Sequence, residues 1–210
     1  MEDSTARTNI LSKISQALSN PTSVPYPGAD IAEPFIRPGQ ESLIELFERK
    51  FTGLLGKFFL FGTPAELSNK LRELIIENRW THICCKDSAL NRLLGDANGP
   101  FIRSGTLQNV DAAITDCMHL VASTGTILLG SDQSSGRALP VYAPVHIVIA
   151  FARQLVFDLR ESIESVMLNG AGHLPSSLVF ASGPSRTGDI EKTLVVGVHG
   201  PGEVYVLMLS

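Results

Sequence analysis

The segment that most constrains the fold of this chain is Val145–Ala150, in which His146 is the one polar residue. An apolar segment of strand length predicts a strand that is buried on both faces. Such strands occupy the centre of parallel sheets, where helices cover both sides. The segment therefore predicts the central strand of an α/β sheet.

Helix and strand signals alternate along the rest of the chain. Thr63–Glu66 forms a capping box with proline at the first helical position, so a helix begins there and runs to about Asn78. Asp158 starts another helix, which ends at Gly170 or Gly172. The predicted strands are Lys57–Phe61, Thr81–Cys85, Phe101–Arg103, Met118–Ala122, Thr126–Leu129, Val145–Ala150, Ser177–Ala181, Thr193–Val198 and Val204–Leu209. This alternation predicts an α/β fold with helices on both sides of a sheet, and the late clustering of strands indicates a mixed sheet.

The first 40 residues form a predicted appendage. Ile10, Leu11, Ile14 and Leu18 recur at helical spacing, which predicts a short helix over residues 4–19. Five prolines follow within residues 20–40, and they exclude regular structure there. We therefore expect an N-terminal helix and proline-rich arm over 1–40 and one α/β domain over 41–210.

The composition excludes several classes of protein. The chain has 210 residues, 44% of them apolar, so it is neither disordered nor fibrous. Its net charge of −4 argues against a general nucleic-acid binder. No apolar stretch approaches the roughly 20 residues that span a bilayer, and the polar start Met1–Ser4 does not resemble a signal peptide. We therefore expect a cytoplasmic protein without membrane insertion.

The cysteines and histidines do not predict a metal site or cofactor. Cys84, Cys85 and Cys117 are expected to be buried as small apolar residues. Three thiols are too few for a four-cysteine iron–sulfur cluster. The five histidines lack the spacing of metal ligands.

The segment Ser182–Glu191 is the strongest candidate for a ligand site, because it directly follows a predicted strand. Gly183 allows the backbone to approach a ligand closely. Ser185 and Thr187 offer hydroxyl groups, and Arg186 offers a planar cation suited to carboxylate or phosphate. The segment predicts an anion pocket. An ordinary loop in which Arg186 pairs with Asp189 or Glu191 is the alternative.

A second candidate is the turn that contains Thr124, Gly125 and Thr126, whose backbone N–H groups are suited to an oxyanion. A plain hairpin turn explains the same residues. Arg137, at the end of a polar loop, would add a positive charge to the site, although an isolated loop arginine is usually just solvated.

Four residues are candidates for proton transfer. His146 begins the predicted central strand, and His199 lies in a glycine- and proline-rich turn, so each is a candidate acid or base. Asp189 and Glu191 are the carboxylates near the predicted pocket. The alternatives are hydrogen-bonded histidines at strand ends and carboxylates that stabilise a helix start.

Four motifs together resemble one known family. They are, in chain order, Ala122–Thr126, Pro144–Val148, Gly183–Glu191 and Gly197–Pro201. The chain is similar over residues 41–210 to the lactate utilization protein C family, which carries a LUD domain. Ser123 stands where that family commonly has an acidic residue, so a carboxylate role is not carried over to this position.

The resemblance implies a fold, a pathway and partners. The implied fold is a three-layer α/β/α sandwich with a mostly parallel, mixed central sheet, similar to the ribose-phosphate isomerase, glucosamine-phosphate deaminase and CoA-transferase group. The implied role is that of a non-redox subunit of a bacterial system that oxidises L-lactate to pyruvate. Such a subunit would bind a small anion, iron–sulfur partner proteins, or both, and a homodimer is left open. The alternative is a stand-alone enzyme that acts on a phosphorylated or acyl-CoA substrate, and fold similarity does not decide between them.

Overall fold

A computed structural model of the chain describes residues 3–19, 39–94, 109–170, 174–188 and 195–210. The chain divides into two compact units, Met1–Arg37 and Pro38–Ser210. In the first unit, helix α1 spans Asp3–Leu18, which confirms the predicted helix. Most of the proline-rich segment 20–40 lies outside the described residues.

The second unit alternates helices and strands. The helices are α2 (Leu43–Gly53), α3 (Pro64–Asn78), α4 (Ser88–Leu94), α5 (Leu139–Tyr142) and α6 (Leu159–Asn169), with a 3-10 turn at Ala152–Gln154. The strands are β1 (Lys57–Phe61), β2 (Ile83–Cys85), β3 (Ala112–Thr115), β4 (His119–Val121), β5 (Thr126–Gly130), β6 (Val145–Phe151), β7 (Leu155–Val156), β8 (Leu178–Ala181), β9 (Arg186–Thr187), β10 (Val195–Val196) and β11 (Glu203–Leu209).

The central sheet has five strands in the order β1-β11-β6-β3-β2, and every neighbouring pair is parallel. Strand β6 lies in the middle, which confirms the prediction from its apolar sequence. Its side chains alternate between two cores, as the period of a strand requires. Ile147 packs with Leu71 of α3 in one core, and Val148 packs with Phe47 of α2 in the other.

A second sheet of four strands has the order β7-β4-β5-β8. Strands β4 and β5 form the predicted antiparallel hairpin, and β8 pairs antiparallel with β5. Ile127 and Leu129 of β5 share a core with β6, β11 and α2. The predicted α/β fold with a mostly parallel central sheet is confirmed. Among the described residues, the antiparallel pairings lie in this separate sheet and in a ribbon of β9 and β10, and the five central strands are all parallel.

One strand of the structure was not predicted from the sequence, and two predicted strands lie partly or wholly outside the described residues. Strand β3 was not predicted, although it pairs with β6 in the central sheet. The predicted strand Thr193–Val198 is described only from residue 195, where β10 pairs with β9 in a two-stranded ribbon. The predicted strand Phe101–Arg103 lies outside the described residues.

The predicted helix starts at Thr63 and Asp158 are both confirmed. Thr63 and Glu66 form a reciprocal capping box, and the Asp158 side chain accepts a hydrogen bond from the backbone N–H of Glu161. These side chains satisfy N–H groups that the first turn of a helix leaves unpaired. None of the helices in the described ranges combines the length and the apolar character that a membrane crossing requires.

Candidate functional site

A cavity of about 230 Å³ lies beside the amino end of β6. Strand β8 and the residues that follow it, Ser182–Ser185, form one wall. Pro140 and Val141 of α5 contribute another part, and His146 projects from β6. The lining is mainly apolar, with His146, Ser182 and Ser185 as its polar side chains. A few polar groups in an apolar concavity are typical of a small-molecule site.

Two motif loops are bound to each other at this cavity. The N–H of Ser185 donates a hydrogen bond to the carbonyl of Pro201, and the N–H of Gly197 donates to the carbonyl of Ser185, both at 2.9 Å. A Cβ on Gly200 would lie 2.9 Å from the Cβ of Ser185, so this close approach requires glycine. Ser185 and Pro201 both line the cavity. The structure thus brings the Gly-Pro-Ser and His-Gly-Pro motifs together.

The predicted turn at residues 124–126 is linked to the same wall through hydroxyl groups. Thr124 Oγ1 donates to Thr126 Oγ1 at 2.8 Å, and Thr126 Oγ1 lies 2.7 Å from Ser182 Oγ. Gly125 has a φ of +65°, and its N–H donates to the carbonyl of Val121 at 2.9 Å. That N–H is therefore engaged within the hairpin rather than directed at an oxyanion.

His146 is the most deeply buried polar side chain of the cavity wall, with 1% of its surface exposed. Its Nε2 lies 2.9 Å from Thr115 Oγ1, on the neighbouring strand β3. Burial lowers the pKa of His146 from 6.5 to about 4, because the charged imidazolium is poorly solvated there. The ring is therefore neutral at pH 7, and it serves as a hydrogen-bonding group more readily than as a cation.

Several predicted residues lie away from the cavity wall. Arg137, Arg186 and His199 are exposed, and none of them lines the cavity. In the described parts of the chain, neither Arg137 nor Arg186 forms a hydrogen bond or ion pair through its guanidinium. Thr187 pairs with Val195 in the ribbon that follows the cavity loop. Asp189 and Glu191 lie outside the described residues.

Sequence reasoning missed two residues of this region. Ser182 lies within the candidate segment and lines the cavity, but it was not named as a ligand-binding residue. Its position directly after β8, where the strand ends and the loop begins, was the signal that could have identified it. Thr115 gave no such signal. It lies 31 residues before His146, and only the parallel pairing of β3 with β6 brings the two side chains together.

A second cavity, of about 380 Å³, lies between the residues after β3 and the end of α6. One carboxylate oxygen of Asp116, Oδ1, is buried there without a hydrogen-bond partner. Burial raises the pKa of Asp116, although the Gln133 side chain opposes that shift. His119 is held between Ser162 and Ser165 at 3.0 and 3.2 Å. Among the residues that the structure describes, no group of three or more acidic, histidine or cysteine side chains is placed to hold a metal ion.

The chain is similar to proteins of one family. The profile of the LUD domain matches residues 103–209. The lactate utilization protein C of Geobacillus kaustophilus is 34% identical over 192 residues, which cover 81% of this chain and 80% of that protein. The protein of the same name from Shouchella clausii is 39% identical over 43% of this chain and 40% of its own length. The one from Deinococcus radiodurans is 35% identical over 53% of this chain and 52% of its own length. In these last two alignments, the chain spans about half the length of the curated relatives it matches.

A solved structure supports the same fold. The crystal structure of a DUF162 family protein from Deinococcus radiodurans superimposes with a TM-score of 0.59 and 21% sequence identity. The superposition covers 80% of this chain and 96% of the other. At that identity the likeness concerns the architecture, and it agrees with an α/β sandwich.

Proposed function

The chain belongs to the LUD domain family, and from that premise we propose that it is a non-redox subunit of a bacterial lactate utilization system. Several relatives carry the name lactate utilization protein C, which supports the pathway. In this role the subunit binds a small anionic ligand and works beside iron–sulfur partner proteins in the cytoplasm.

The observation that carries the proposal is the cavity where the two family motif loops meet. Its volume of about 230 Å³ is below the ~300–1,000 Å³ of sites for drug-sized ligands, which favours a small molecule. Apolar side chains such as Leu129, Val179 and Val204 would surround a methyl group. The hydroxyl groups of Ser182 and Ser185 would donate hydrogen bonds to a carboxylate.

Arg186 would supply the positive charge for that carboxylate. It directly follows Ser185, and its exposed guanidinium has no ion pair with any described residue. A guanidinium binds a carboxylate through two parallel hydrogen bonds, which fixes the orientation of the anion as well as its charge. We propose that Arg186 turns toward the cavity when the ligand binds.

Electron transfer in such a system would belong to partner proteins. Cys84, Cys85 and Cys117 are the three cysteines of the chain, and all are free and buried. An iron–sulfur cluster commonly takes four thiolates. The oxidation of lactate would therefore use clusters held by other subunits, with this chain contributing ligand binding or assembly.

A thermal-shift panel tests the ligand class. The probes are L-lactate, pyruvate, phosphate, a sugar phosphate and an acyl-CoA ester, each with the unmodified chain, Arg186→Ala and Arg92→Ala. Arg92 is an exposed residue of α4 that does not line the cavity, so its variant is the matched control for lost charge. A ligand at 100 times its Kd stabilises by about 2.7 kcal/mol, which raises Tm by about 5–10 °C at this chain length.

The expected result is a shift with a small carboxylate that Arg186→Ala loses and Arg92→Ala keeps. A shift with the sugar phosphate or the acyl-CoA ester alone would instead favour the stand-alone enzyme. The absence of any shift would contradict a ligand site in this cavity. Isolation of the native complex without an iron–sulfur partner, after growth on lactate, would contradict the role as a subunit.

A further inference from the structure

We infer that Thr115 fixes His146 as the tautomer that is protonated on Nε2, so that Nδ1 accepts a hydrogen bond from the ligand and the cavity prefers a 2-hydroxy acid to the matching 2-oxo acid. The inference rests on the proposed function, because it assumes that a small carboxylate occupies this cavity. It concerns which of two such ligands binds more tightly.

The first step is the direction of the hydrogen bond between the two side chains. A threonine hydroxyl carries one hydrogen. Thr115 Oγ1 donates that hydrogen to the carbonyl of Asp116 at 2.9 Å, and a carbonyl can only accept. The contact of 2.9 Å between Thr115 Oγ1 and His146 Nε2 must then have the ring nitrogen as its donor.

The second step follows from burial. His146 is 1% exposed and Thr115 is fully buried, so water cannot substitute for either partner. A neutral imidazole has one N–H, and the lowered pKa of about 4 keeps His146 neutral at pH 7. Its single N–H proton is therefore on Nε2. Nδ1 is left as an acceptor, and it forms no hydrogen bond with any described residue.

The third step concerns the ligand. His146 lines the cavity, and because Thr115 holds Nε2, we take Nδ1 to be the ring nitrogen that a bound molecule meets. The hydroxyl of a 2-hydroxy acid can donate a hydrogen bond to Nδ1. The carbonyl of a 2-oxo acid offers only lone pairs at that position, so both acceptors would be left unpaired away from water, which is costly. A site built to accept from a hydroxyl discriminates strongly against an analogue that lacks it.

The test compares Kd values for L-lactate and pyruvate at pH 7 by titration calorimetry. The unmodified chain is expected to bind L-lactate at least about tenfold more tightly than pyruvate. Thr115→Val has a similar shape but no acceptor for Nε2–H. The ratio of the Kd for pyruvate to the Kd for L-lactate is therefore expected to fall toward one. Thr115→Ser keeps the hydroxyl and is expected to restore the preference. Thr52→Val, on the exposed surface of α2, controls for the loss of a hydroxyl elsewhere.

Nitrogen NMR of the ring provides a readout that does not depend on binding. The expected signature in the unmodified chain and in Thr115→Ser is a proton on Nε2 of His146. A proton on Nδ1 would overturn the inference, as would equal affinity for the two acids. If neither acid binds, the proposed function fails and so does the ligand preference, while the NMR signature still decides the tautomer. If Thr115→Val does not fold, the unmodified chain and Thr115→Ser decide the outcome.

Discussion

Gly183 lies directly against the backbone of Leu54, which follows the last residue of α2. A Cβ on Gly183 would be 2.5 Å from the carbonyl oxygen of Leu54, and the φ of Gly183 is +78°. Two independent constraints therefore require glycine, one conformational and one steric. This contact sets where the loop over residues 183–185 leaves β8 and thus where the cavity wall stands.

Gly183→Ala is expected to destabilise the protein by about 1–3 kcal/mol, because the new methyl group meets backbone atoms in a left-handed conformation. Urea denaturation measures the loss. Gly188→Ala is the matched control, since nothing lies within 4 Å of a Cβ at that position. Equal stability of the two variants would show that the Gly183–Leu54 contact relaxes without cost.

Thr63→Ala is expected to cost about 1 kcal/mol, because it removes the side chain that caps α3. Thr63 Oγ1 accepts from the N–H of Glu66 at 3.3 Å, and the Glu66 carboxylate accepts from the N–H of Thr63 at the same distance. At this chain length the loss corresponds to a fall in Tm of about 2–4 °C. Thr63→Ser keeps the hydroxyl and should stay within 1 °C or so of the unmodified chain. An alanine variant as stable as the serine variant would argue against the cap.

His146 is expected to make the folded state less stable in mild acid. Its pKa is about 4 when folded, against 6.5 ordinarily, because burial disfavours the charged ring. As pH falls below 6.5, the unfolded chain therefore binds a proton that the folded chain resists, and stability declines until about pH 4. The full loss is roughly 3 kcal/mol at 1.36 kcal/mol per pKa unit.

The measurement for His146 is urea denaturation at pH 7 and at pH 4.5, in the unmodified chain and in His146→Asn. Burial also lowers the pKa of His119, so some acid sensitivity should persist in the variant. The variant should nevertheless lose much less stability between the two pH values. Parallel losses would mean that His146 titrates normally in the folded state.

The three cysteines are expected to be unreactive in the folded protein. Burial raises the pKa of Cys85 to about 11, and it also raises the pKa of Cys84 and Cys117. Since the thiolate is the reactive form, a disulfide reagent should label all three slowly at pH 8 and rapidly in denaturant. Fast labelling of a native thiol would show that the fold opens locally around it.

The elements that the sequence predicted correctly were those determined by residues close together in the chain. The apolar segment around Val148 defined the central strand, and the capping residues Thr63 and Asp158 defined helix starts. The strand Ala112–Thr115 was missed because its small residues carry no periodic signal of their own. This segment forms a strand because it pairs with β2 on one side and with β6 on the other, and both strands are distant from it in sequence.

The sequence predicted which loops form the candidate site, but it did not predict which of their side chains face the cavity. The sequence singled out His146 and Ser185, and both line the cavity. It also singled out Arg186 and His199, which belong to the same motifs but are exposed. Neighbours along an extended chain point in opposite directions, so motif membership alone cannot say which side chain faces a ligand.

The position of β11 has a consequence for how the protein is made. Strand β11 lies between β1 and β6, yet it follows every other described element in the chain, and Lys57 of β1 pairs with Tyr205. During synthesis, β6 would have one unpaired edge, and β1 would have no neighbouring strand in the sheet, until β11 leaves the ribosome. Pairings between such distant residues slow folding, and open apolar edges invite association with other chains. Newly synthesised protein should therefore depend on chaperones more than its modest size suggests.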